Sequence, residues 1–161
     1  GIPILVKLYL GGDASDFALV EAYLGLGMLL GTAIVYGIGS RVTHGLLFLL
    51  GLFIDGASFC LYYFVESMDQ LNFFSILHGV GIPFLIISRV SIMQKHIPEK
   101  MLGRIFAIIS ISILSMTAVS SGMIGVMAEF FAIKTIFLIF GILAGACGVA
   151  GLMHPKIKYL N

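Results

Sequence analysis

The sequence predicts an all-α protein embedded in a lipid bilayer, and three observations predict it. Apolar residues make up 60% of the 161 and charged residues only 11%, with a mean hydropathy of +1.12. A domain this small hides only about two-thirds of its surface, so lipid must take up the remaining apolar area. Apolar runs recur at about the 20-residue length that crosses a bilayer as a helix. The breaks between them are short and rich in Gly, Pro or charge, which is the punctuation of helix ends.

Taken in order, a stump over residues 2–10 ends at Gly11-Gly12-Asp13, and spans follow at 15–38, 44–65, 71–93, 103–130 and 133–153. If the spans alternate in direction, seven of the nine basic residues fall on one side: Arg41, Arg89, Lys95, Lys100, Arg104, Lys156 and Lys158, against Lys7 and Lys134. Lys and Arg are retained on the cytoplasmic side, so the C-terminus is expected there. Asp13, Asp16, Glu21, Glu66, Asp69 and Glu129 gather on the opposite side. The chain lacks an initiator Met and a signal-peptide pattern, and reads as a piece of something longer.

The spans also resemble one another at an offset of about 90 residues: Gly27, Gly31 and the turn at Gly39-Ser40-Arg41 run parallel to Gly122, Gly125 and the turn near Phe131-Ala132. An odd offset in spans fits two three-helix units of inverted topology, the first helix being truncated to the stump.

Few residues offer chemistry. His44, His78, His96 and His154 never fall at the i, i+4 spacing of a helical zinc site, and Cys60 and Cys147 lie singly in apolar runs. With no CxxC, GxSxG or phosphate-binding glycine loop, the sequence predicts neither a metal, a cofactor nor an enzyme. Its scattered basic residues exclude a nucleic-acid footprint.

Asp55 stands out because an ionised carboxylate in mid-span costs about 2.5–3.5 kcal/mol on insertion scales. It shares a helical face with Gly51, Ser58 and Tyr62, which should point into the protein. Asp55 is therefore a candidate for proton coupling, or else a paired structural acid. His78 and Arg89 lie on one stripe of the next span; His78 suits a proton relay or a bonded interior position. Arg89 either snorkels to the interface or pairs with Asp55 or an anionic substrate group. Ser58, Tyr62, His78 and Arg89 are the cavity candidates.

Gly79, Gly81 and Pro83 interrupt the same span, because Pro83 cannot donate to the carbonyl of Gly79, and a kink is expected there. Gly27 with Gly31 and Gly141 with Gly145 are GxxxG pairs that let helix backbones approach. The hydroxyls from Ser110 to Ser121 serve as interhelical glue or as the lining of a water-filled path.

The loop Gln94-Lys95-His96-Ile97-Pro98-Glu99-Lys100-Met101-Leu102-Gly103-Arg104-Ile105-Phe106, with Pro98, Gly103 and Arg104 at its key positions, resembles the segment between helices ten and eleven of major facilitator superfamily exporters. Gly25 to Gly31, followed by Gly37-Ile38-Gly39-Ser40-Arg41, is similar to helix eight and the loop after it. The likeness is closest to the multidrug and macrolide-efflux branch. It departs where an Asp usually precedes Arg41, since Ser40 stands there, and where His44 fills a basic position.

The resemblance implies the C-terminal six-helix bundle of a drug:proton antiporter, with five full spans and a stump. Its partners would be the lipid bilayer, the absent N-terminal half, a small amphipathic drug or metabolite, and protons. A bacterial inner (plasma) membrane is the implied location. The alternative is a multi-span scaffold or assembly subunit that transports nothing.

Overall fold

The computed structural model describes residues 1–160, all of whose regular structure is helical. A short N-terminal segment, α1 (Ile2–Ile4), passes into a π-helical turn (Leu5–Tyr9). Then come α2 (Ala14–Ile38), α3 (His44–Tyr62), α4 (Met68–His96), α5 (Glu99–Phe130), α6 (Ile133–Leu152) and a terminal turn, α7 (Pro155–Lys158). Five of these, α2 to α6, are long and apolar enough to cross a membrane. The molecule is an integral membrane protein.

Local chemistry sets the helix ends. Asp13 caps α2 by accepting from the backbone of Ser15 and Asp16, and Asp16 returns the bond to the N–H of Asp13, a reciprocal capping box. Thr43 caps α3 and Ser67 caps α4. The Ser67 cap brings the start of α4 forward to Met68, while α3 stops at Tyr62 because Tyr63, Phe64 and Val65 each bond three residues back, the tighter winding of a frayed end. Pro98 closes α4 and opens α5: Ile97 before it is extended, as a pre-proline residue prefers, and α5 starts at Glu99 rather than at Gly103. Pro83 does not end α4, which runs through it as one helix.

Two close-packed seams hold the bundle together. On α2, a Cβ at Gly27 would meet the carbonyl of Ile76 and one at Gly31 the carbonyl of Val80; Gly79 lies opposite, where a Cβ would come within 3.0 Å of the Gly27 Cα. On the other seam, Gly56 of α3 faces the Gly145 amide and the Gly141 carbonyl of α6, and a Cβ at Gly141 would lie 2.6 Å from the Cys60 nitrogen. Small residues let backbones meet where lipid supplies no hydrophobic drive. A Cβ at Gly145 itself would point into open space, so that residue contributes backbone contact only.

Helix α3 therefore sits centrally, against α4 on one side and α6 on the other. Two apolar clusters fill the ends. Near the acidic end, Leu5 and Val6 of the N-terminal turn pack with Tyr62, Leu71, Ile136 and Phe137. Lys134 latches that turn, donating to the Tyr9 hydroxyl at 2.7 Å and lying 3.9 Å over its ring. At the basic end Val35, Leu47 and Phe84 form the second cluster.

Helix α5 stands apart, and none of its residues is buried. The likeness of Gly122-Gly125 to Gly27-Gly31 does not extend to packing: Gly27 and Gly31 are sealed against α4, whereas Cβ atoms at Gly122 and Gly125 would meet nothing. Three hydroxyls of α5 turn back on their own helix. Ser112, Thr117 and Ser120 donate to carbonyls of their own helix, at 2.8, 2.8 and 3.1 Å.

Candidate functional site

The site lies where α3, α4 and α6 meet in the interior of the bundle. Asp55 is seven residues from the end of α3 at Tyr62, about 10 Å along the axis, and His78 enters α4 from the same side. Glycines bring the two helices together at this level. A Cβ at Gly81, one turn beyond His78, would lie 3.3 Å from the Asp55 nitrogen, so the absent side chain lets the backbones close up. That approach sets His78 Nδ1 3.3 Å from Asp55 Oδ1.

Hydrogen-bond bookkeeping favours a proton on Nδ1 of the ring. The Ser58 hydroxyl donates its one hydrogen to the Asp55 main-chain carbonyl at 2.7 Å, and its oxygen lies 2.9 Å from His78 Nδ1. That contact needs a donor, which must then be the ring N–H. Nδ1–H is consequently shared between Ser58 Oγ and the Asp55 carboxylate, leaving Nε2 to gain or lose a proton. The ring is held further by Phe59, whose edge-to-face contact has a centroid separation of 4.9 Å. Tyr62 adds a second pair one turn on, its hydroxyl 3.3 Å from Ser75 Oγ, and Ser75 donates to the Leu71 carbonyl at 2.8 Å.

Beside Asp55 opens a cavity of about 320 Å³ between α3, α5 and α6. Phe59, Phe137 and Phe140 give it an aromatic wall, Ser120 and Ile124 close it from α5, Gly1 borders it, and Asp55 is the charged side chain among its lining residues. Asp55 keeps 19% of its side-chain exposure and His78 12%, so the pair is shielded while the carboxylate still reaches the cavity. An apolar chamber with one carboxylate and an adjacent imidazole can exchange a proton against a polar group brought in by a ligand.

The structure thus brings four of the five residues read from sequence into one cluster: Asp55, Ser58, Tyr62 and His78. Ser58 and Tyr62 are fully buried, and α3 contributes Asp55 and Phe59 to the cavity wall instead. Arg89 lies apart. Eleven residues beyond His78, about 16 Å along α4, it cannot be the partner of Asp55. Its Nε is cut off from water and has no bonding partner among the described residues.

Phe59 and Ser75 were legible by helical spacing, one turn from Asp55 and from His78. Phe137, Phe140 and Ser120 were not, because pairing between distant helices leaves no local signal. Among the described residues no group of three or more His, Cys, Asp or Glu could hold a metal, and Cys60 and Cys147 are free thiols. No protein-family model, curated protein or solved structure matches this chain.

Proposed function

We propose that this bundle is one half of a secondary transporter that exports small amphipathic molecules in exchange for protons by alternating access. The observation carrying this reading is the Asp55–His78 pair beside an aromatic-walled cavity within the membrane-spanning helices. Charge in mid-membrane is expensive, and intramembrane acids are retained where they serve transport or proton movement.

In this mechanism the ionised Asp55 is stabilised by the Nδ1–H of His78, which Ser58 orients. A proton arriving from outside neutralises the carboxylate. Substrate entering the cavity from the other side displaces that proton, and the loaded states differ in which side they face. Helix α5, unburied and running beside the cavity, supplies the surface for the second half of the carrier. The likeness to major facilitator exporters supports the same arrangement and a bacterial inner membrane, and the basic residues at one end support a cytoplasmic C-terminus.

The test is export of ethidium and of a macrolide from energised cells expressing the full carrier, with both halves present. Export should stop on addition of an uncoupler and fall at least about tenfold in Asp55→Asn, the loss of an interaction worth about 1.4 kcal/mol. Unchanged uncoupler-sensitive export by Asp55→Asn would refute the coupling role, and export insensitive to uncoupler would refute the proton drive.

A further inference from the structure

A second site lies at the opposite end of the bundle, where α2, α3 and α4 converge and the Asp55 cluster plays no part. A polar cavity of about 400 Å³ is lined by the turn from Gly39 to Thr43, by His44 and by Lys95. Arg41 and Lys95 reach it from the turn after α2 and from α4's last turn, and among the described residues no acidic side chain lines it. His44 Nδ1 is sealed from water and has no hydrogen-bond partner among the described residues. Two cationic side chains and an unsatisfied imidazole nitrogen make a receptor for an anion.

The cavity does not end at the charges. An apolar groove of about 250 Å³ adjoins it, sharing Gly39, Ser40 and His44 with the polar chamber. Thr32, Val35, Tyr36 and Gly39 line the groove at one helical face of α2, over about 10 Å of its axis, with Leu47 and Ile87 opposite. Thr32 bonds its hydroxyl to the Met28 carbonyl at 2.8 Å, which leaves its methyl free to face the groove. Tyr36, 90% exposed, stands where aromatic residues mark the level of lipid headgroups.

A free phosphate would fill the basic chamber and leave the groove empty. We infer that the paired chamber and groove bind an anionic phospholipid, its phosphate between Arg41, His44 and Lys95 and an acyl chain along the outer face of α2 past Thr32 and Tyr36, with Ile87 opposite. Each Lys or Arg near a charged lipid surface favours anionic over zwitterionic headgroups, and the groove adds apolar contact that no soluble anion supplies.

Native mass spectrometry of the purified protein mixed with equal amounts of phosphatidylglycerol and phosphatidylcholine of matched chains tests this. Phosphatidylglycerol should be retained about tenfold or more over phosphatidylcholine, and millimolar inorganic phosphate should not displace it. The preference should disappear in the double variant Arg41→Gln with Lys95→Gln and persist in Arg41→Lys with Lys95→Arg, which keeps the charge and reports on folding. Thr32→Trp, which fills the groove, should weaken retention of both lipids. Equal retention of the two lipids by the unaltered protein would overturn the site. Full displacement by phosphate, with Thr32→Trp silent, would overturn the lipid assignment in favour of a soluble anion.

Discussion

Helices α4 and α5 are near equals in apolar character, both long and apolar enough to cross a membrane, yet nine residues of α4 are buried and none of α5. What separates them is where the small residues face. On α4, Gly79 and Gly81 lie against α2 and α3, so backbones touch backbones and the helix is locked between two neighbours. On α5, Gly122 and Gly125 face open space, and the Ser112 and Thr117 hydroxyls satisfy carbonyls of the same helix. Hydropathy decides that a segment enters the membrane; the placement of glycine decides what it packs on.

The largest effect that could break this contrast comes from adding side chains at the seams. Gly27→Leu and Gly56→Leu drive a side chain into backbone atoms that cannot swing aside, so each should cost more than the about 1–3 kcal/mol of ordinary overpacking. Gly122→Leu and Gly125→Leu should change stability by no more than about 0.5 kcal/mol. Thermal unfolding in detergent micelles, followed by circular dichroism, measures both sets. Equal losses at the two sets would dissolve the distinction between the helices.

A smaller effect is expected inside the α3–α4 junction. Asp55→Ala removes the carboxylate partner of His78 and should cost about 1.5–3 kcal/mol, the range for a hydrogen bond to a charged group, in the same unfolding measurement. Tyr62→Phe gives up only the neutral bond to Ser75 and should cost about 0.5–1.5 kcal/mol. The smallest change belongs to α5, where Ser112→Ala and Thr117→Val release bonds made within one turn and should stay within about 0.5 kcal/mol. A large loss there would show that α5's hydroxyls carry contacts between helices after all.

Hydropathy and turn residues made the helical, membrane-spanning character legible, since both act within about 20 residues of chain. Helix ends were less legible where caps and prolines compete: Ser67 and Pro98 start their helices before the apolar run begins. At the candidate site, Asp55, Ser58 and Tyr62 could be named because a lone acid and its i+3 and i+7 neighbours form a visible face, and His78 because it stands on the stripe of the next span that also carries Ser75 and Arg89. The pairing of Asp55 with His78 rather than Arg89 depends on the relative height of α3 and α4, which Gly81 sets through a contact between helices. No periodicity within a helix reveals such a height. The aromatic wall from α6 was hidden for the same reason.

The most direct test of the Asp55–His78 pair as the exchange centre is proton release in proteoliposomes carrying a pH-sensitive dye in their lumen. Adding ethidium outside should shift the luminal pH through the unaltered carrier with both halves present, and the shift should vanish in Asp55→Asn while that variant still binds ethidium. A shift of undiminished size in Asp55→Asn would contradict the account.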